Sequence, residues 1–137
     1  MRKVNIVLAL AVALVMGVIK VAEAQMPQPQ TQGGVTFITG GVGVGPQQFM
    51  DSVQKDYNLH VLFVQMGTGA FFADLVVQIV DNASAKTIVN TSSAGPMFFA
   101  KLKPGSYSVT SSHAGKPVTK NVVVPAEGAA ELFFYWP

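Results

Sequence analysis

Between residues 59 and 136 apolar and polar residues alternate, and the alternation is interrupted at short intervals by turn-forming residues. Seven runs stand out, at 59–65, 73–80, 86–91, 97–101, 106–112, 117–124 and 130–136. They are separated by Gly67 and Gly69, Asp81-Asn82, Ala94-Gly95-Pro96, Pro104-Gly105, Gly115, and the stretch from Pro125 to Gly128. A period of two puts successive side chains on opposite faces of a strand. Seven short strands with turn signals at this spacing predict an all-β fold, a seven-stranded Greek-key β-sandwich.

The alternation also assigns faces. Leu75, Val77 and Ile79 point one way, as do Tyr107 and Val109, then Val118, Val122 and Val124, then Leu132, Phe134 and Trp136. Each large apolar side chain that is fully buried contributes about 1.5–3 kcal/mol, so this set suffices for a core without covalent staples. The first and last strands carry more apolar residues than one face can hold. Leu62 and Val64 oppose Leu59, Val61 and Phe63, and Phe133 and Tyr135 oppose Leu132 and Phe134. A strand apolar on both faces requires cover on both. A helix bearing Phe49, Val53 and Tyr57, together with the segment 35–38, is one cover; a partner or a second copy is the other. The candidate partner or ligand surface is therefore Leu62, Val64, Phe71, Phe72, Phe133, Tyr135 and Trp136. Trp136 is read first as a core anchor and second as a platform for stacking on sugar.

The beginning of the chain has a different character. Arg2 and Lys3 precede an apolar run from Val4 to Ile19, and Lys20 and Ala22-Glu23-Ala24 follow it. That order of basic, apolar and small-x-small segments is the pattern of a secretory signal peptide, and the run is short for a membrane span of about 20 residues. Cleavage near Ala24 leaves no membrane span and predicts a periplasmic or secreted protein. Arg2, Lys3, Lys20 and Glu23 would leave with the peptide. Of nine Lys/Arg and seven Asp/Glu, six of each remain, so the formal charge of +2 falls to zero. No basic excess is left for nucleic acid. Cysteine is absent, which excludes disulfides, a zinc ribbon, a thiol nucleophile and a lipidated N-terminal cysteine.

Residues 25–45 are rich in Pro, Gln and Gly and read as a flexible lead, within which Val35–Thr39 reads as a short strand. The glycines at 40, 41, 43 and 45 contain neither a GxGxxG in register nor a Gly-Lys-Ser/Thr ending, so they fit a turn rather than a phosphate loop. Residues 46–57 read as the helix: Pro46 suits its first position, and Phe49, Val53 and Tyr57 recur every four residues with Met50 beside them. The domain itself is expected to span 58–137.

One stretch goes beyond composition. Leu102-Lys-Pro104-Gly105-Ser-Tyr107-Ser-Val109 resembles the Leu-x-Pro-Gly-x-Tyr-x-Val string of carboxypeptidase regulatory-like domains, which are transthyretin-like (prealbumin-like) sandwiches. With Gly40 to Gly43, Tyr57-Asn58-Leu59, Gly95-Pro96-Met97-Phe98 and Phe134-Tyr135-Trp136 in order, residues 33–137 resemble small exported proteobacterial proteins that carry such a domain. Read physically, Pro104 fixes φ and Gly105 supplies a positive φ, giving a hairpin that brings Leu102 opposite Tyr107 or Val109. Tyr107 is then placed as at a tyrosine corner.

Reactive groups are few. His60 and His113 sit singly in strands and read as edge or surface residues. No GxSxG surrounds any serine. Asp74 and Asp81 lie seven residues apart on one strand, too far for a carboxylate pair. The transthyretin-like fold also hosts a purine-catabolic hydrolase ending in Tyr-Arg-Gly-Ser. Here the chain ends Tyr135-Trp136-Pro137, and no Arg follows Arg2. No catalytic, metal or cofactor site is assigned. The expected function is a non-enzymatic envelope module that binds another protein or itself; the alternative is a carbohydrate- or small-ligand-binding module.

Overall fold

A computed structural model of the chain describes residues 26–66 and 75–136. Among them are nine strands: β1 (Gln30–Gln32), β2 (Val35–Gly40), β3 (Leu59–Gln65), β4 (Leu75–Asp81), β5 (Lys86–Ala94), β6 (Met97–Lys101), β7 (Gly105–His113), β8 (Lys116–Val124) and β9 (Ala130–Trp136). One α-helix, α1 (Val44–Val53), runs into a 3-10 turn at Gln54–Asp56. The strands form two sheets, in the orders β1-β2-β6-β3-β9 and β5-β4-β7-β8. The chain is thus mostly β, with a single short helix among the described residues.

The two sheets share one apolar core. The first contributes Phe37, Leu59, Val61, Phe63, Phe98, Phe134 and Trp136; the second contributes Leu75, Val77, Ile79, Val89, Val109 and Val124. Val118, Val122 and Leu132 pack against this core partly buried. On the first sheet's side of it, rings of neighbouring strands pack together, Phe63 and Phe134 at 5.7 Å and Phe37 and Phe98 stacked at 5.4 Å. The faces follow the alternation in the sequence. In β7, Tyr107, Val109 and Ser111 are buried while the residues between them are not. Buried large aromatic and aliphatic side chains of this kind dominate the stability of a small domain.

Several expectations need correction. The short strand expected at 35–39 is present as β2, but residues 30–40 as a whole form a hairpin added to the first sheet and are not a flexible lead. β2 pairs with β6 from Thr36↔Lys101 to Gly40↔Met97. It does so because Phe37 buries in the core and Ile38 buries on the opposite face, a strand's worth of apolar surface in a short run. The helix begins two residues before Pro46, which therefore falls in its first turn, where a missing N–H breaks no helical bond. Gly43 caps it with φ 92°, a conformation that favours glycine.

Pro104-Gly105 does not make a hairpin. β6 and β7 belong to different sheets, so residues 102–104 carry the chain from one layer to the other. Gly105 has the positive φ expected of it, 158°, but it opens β7 instead of reversing the chain. The core-side placement still holds: Leu102, Tyr107 and Val109 are all buried in the shared core. The tight reversals lie elsewhere. β7 and β8 are joined by Ala114 (φ 51°) and Gly115 (φ 74°), with His113 opposite Lys116. Two positive φ angles in a two-residue loop match the twist of a β-hairpin.

β3 and β9 pair in parallel, from Leu59↔Ala130 to Gln65↔Trp136. Short turns predict antiparallel neighbours only, and this pair is not joined by one. More than sixty residues, including the whole second sheet, separate the two strands in sequence, as a parallel crossover allows. The expected signal sequence up to Ala24, the turn at Gly67 and Gly69, and Phe71, Phe72 and Asp74 lie outside the described residues.

Candidate functional site

The outer face of the first sheet, away from the shared core, is where the expected surface residues fall. β3 presents His60, Leu62 and Val64 there, and β9 presents Glu131, Phe133 and Tyr135. The parallel register sets Leu62 beside Phe133 and Val64 beside Tyr135. Half of this face is covered by α1. A second apolar cluster joins buried Ile38, Met50, Met97 and Phe99, with Phe49, Val53, Tyr57 and Leu62 packed around it. Met50, not the Phe49/Val53/Tyr57 stripe, is the fully buried anchor of the helix. Residues 35–38 belong to the sheet itself and do not lie across it.

The other half is open. Phe133 and Tyr135 are 38% and 49% exposed, and their rings stack at 6.3 Å with an interplanar angle of 19°. Val64 is half-buried beside them. Lys120 of β8 reaches across and donates from Nζ to the Phe133 carbonyl at 2.6 Å, with its ammonium 5.9 Å from the Tyr135 ring. That bond occupies a backbone acceptor on the free side of β9. A lysine so placed disfavours addition of a further strand, leaving the aromatic face rather than the edge available.

Of the seven surface residues expected from the sequence, the structure brings Leu62, Val64, Phe133 and Tyr135 onto one face. Phe71 and Phe72 lie outside the described residues. Trp136 does not belong to the surface. It is only 3% exposed, packs among Phe63, Phe134 and His113, and donates from Nε1 to the Lys116 carbonyl at 3.4 Å. Strand parity puts it on the same face as Phe134, so it serves as the core anchor and not as a platform for sugar.

His60 is also not an edge residue. It is 8% exposed, and its ring meets Phe99 edge-on at 5.1 Å. Nε2 lies 2.9 Å from the carbonyls of both Gln54 and Tyr57, so it carries the proton and donates to the pair. Nδ1 lies 3.2 Å from Gln54 Nε2 and 3.8 Å from the Glu131 carboxylate. The imidazole therefore bonds the Tyr57 carbonyl and shares the Gln54 carbonyl with the Tyr57 N–H where the helix ends, tying that end to β3. Asn58, two residues earlier, acts similarly on another backbone segment. Its Nδ2 donates to the Leu102 carbonyl at 2.6 Å, and its Oδ1 accepts from the Leu102 N–H at 2.8 Å. Neither role is visible in periodicity. The only signal for Asn58 is its place in the Tyr57-Asn58-Leu59 string.

Between the end of α1 and β9 lies a cleft of about 100 Å³. Leu62, Met97, Phe99 and Phe133 line its apolar part, and Asp51, Gln54, His60 and Glu131 its polar part. Tyr107 closes the far end of the shared core: its hydroxyl donates to the Lys103 carbonyl at 2.6 Å. Burial, and to a lesser extent the Asp81 carboxylate, push its phenol above the usual value. Tyr57 is pushed the same way by burial and then by Asp56. No group of three or more His, Cys, Asp or Glu able to hold a metal occurs among the described residues. No helix among them is long and apolar enough to cross a membrane.

No family model matches the chain. An 88-residue stretch, 64% of the chain, is 38% identical to carboxypeptidase D of Mus musculus and, to the same degree, of Rattus norvegicus. The chain spans only about 6% of the length of those proteins. The similarity is to a small part of a carboxypeptidase, borne on a two-sheet β structure.

Proposed function

We propose that this chain is exported, is cleaved near Ala24, and acts in the periplasm or outside the cell as a non-enzymatic module that docks onto another envelope protein or onto itself. In this reading its two sheets form a Greek-key, transthyretin-like β-sandwich of the carboxypeptidase regulatory-like kind. The observation that carries it is the exposed, stacked Phe133–Tyr135 pair beside Leu62 and Val64. Aromatic side chains are enriched at protein interfaces, where they bury large area at small entropic cost. Two supports bear on the absence of catalysis. The carboxypeptidase similarity covers a small part of an enzyme, and the His60 imidazole is engaged in holding the helix end.

The test compares the purified, processed chain with the double variant Phe133→Ser/Tyr135→Ser. Light scattering reports self-association, and cross-linking in envelope extract reports a partner. The wild type is expected to self-associate or to yield one defined adduct. The variant is expected to do neither while unfolding at an unchanged temperature. A wild type that is strictly monomeric and forms no adduct contradicts the reading. A second reading, binding of a glycan or another small ligand, rests on the same two rings. A glycan-array signal lost in the double variant would favour it.

A further inference from the structure

From the cleft between α1 and β9 we infer a binding site for one cationic side chain, a lysine or arginine flanked by apolar residues on a docking protein. This rests on the reading of the outer face as a docking surface and names what that face selects. Three observations converge. The first is size. At about 100 Å³ the cleft is well below the roughly 300–1,000 Å³ of pockets for drug-sized ligands, but it suits a single side chain. The second is lining. Leu62, Met97, Phe99 and Phe133 supply apolar lining for an aliphatic stem, Asp51 and Glu131 are exposed members of the same lining, and no lysine or arginine is among them. Lysine and arginine side chains present this division, burying a stem and keeping a charged head at a polar rim.

The third observation concerns the helix. Asp51 stands in the last turn of α1, which holds no basic residue of its own; Lys55 follows in the 3-10 turn and does not line the cleft. The C-terminal end of a helix carries partial negative charge and favours cations, so a carboxylate there adds to the unfavourable potential. His60 already takes the carbonyls of Gln54 and Tyr57, leaving the Asp51 carboxylate as the group for an incoming charge. Asp51 has no ion-pair partner among the described residues, and the Glu131 carboxylate reaches only His60, at 3.8 Å. An arriving ammonium or guanidinium relieves this excess, and the Phe133 ring beside it offers an aromatic neighbour suited to a cation.

The experiment titrates the purified chain with three acetylated, amidated tripeptides, Leu-Lys-Leu, Leu-Arg-Leu and Leu-norleucine-Leu, and follows amide resonances of Leu62, Phe99 and Phe133. The two cationic peptides are expected to shift these resonances saturably and to bind about two- to thirtyfold more tightly than the neutral one. Asp51→Asn/Glu131→Gln is expected to erase that preference without lowering the unfolding temperature. Equal binding of the neutral peptide at the same resonances would overturn the cation site while leaving the docking surface intact. Absence of binding by all three would overturn it as well. The docking surface is judged separately, by the Phe133→Ser/Tyr135→Ser variant.

Discussion

Asn58→Ala is the substitution whose cost can be worked most directly from the structure. The asparagine amide makes a two-point bond with the Leu102 backbone, donating at 2.6 Å and accepting at 2.8 Å. Leu102 is 5% exposed and sits where the chain leaves β6 for the opposite sheet. Truncation leaves its N–H and its carbonyl without those partners. A buried polar group so stranded costs about 1–3 kcal/mol; water reaching this partly buried site lowers the sum to about 2–4 kcal/mol. For a domain of this size that is a fall in unfolding temperature of about 8–16 °C. Asn58→Asp separates the two arms. Its carboxylate still accepts from the Leu102 N–H but faces the Leu102 carbonyl without a proton to give. Its deficit should therefore shrink when the pH is lowered far enough to protonate it, since the acid can then donate. Denaturant unfolding of the three proteins at pH 7 and pH 3 reads both effects. An alanine variant within about 0.5 kcal/mol of wild type would refute the claim that this bond holds the chain where it leaves β6 against the start of β3.

Other outcomes follow from the same geometry. Ser111 is fully buried, and its Oγ has no hydrogen-bond partner, so Ser111→Ala should raise stability by about 1 kcal/mol in denaturant titration. Met50→Ala should cost about 2–5 kcal/mol and increase hydrogen exchange across α1, because Met50 is the buried anchor of the helix. Tyr57 and Tyr107 both have phenols raised above 10, so the fold favours their neutral forms. Their contribution is complete below about pH 10 and is lost as pH rises through the raised values. Tyr107→Phe should therefore flatten the alkaline fall in unfolding temperature while costing about 1 kcal/mol at neutral pH through loss of the Lys103 bond.

Local periodicity made most strand positions and their inward faces legible. Leu75, Val77, Ile79, Val109 and Phe134 are buried as their parity requires. Periodicity does not say which strands neighbour one another. Pro104-Gly105 has the composition of a reversal, yet it joins two sheets, because β6 finds its partners in β2 and β3. The parallel β3–β9 pair is equally hidden, since alternation looks the same in either direction. Ser111 follows the buried parity of β7, but its hydroxyl disguises it in a reading based on apolarity. The surface was legible where parity alone decides exposure, at Phe133 and Tyr135. At Trp136 parity pointed inward, and the structure follows it. Met50 was harder to rank, because which residue of an amphipathic stripe sits deepest depends on the docking angle of the helix.

The most direct test of the docking surface is site-specific photo-cross-linking in cells that make the protein, with a benzophenone amino acid placed in turn at Phe133, Tyr135 and Val123. Val123 is 70% exposed on the other sheet and serves as the control. Discrete adducts at 133 and 135, with none at 123, are the predicted result. Adducts at 123 alone, or at none of the three, would contradict the account.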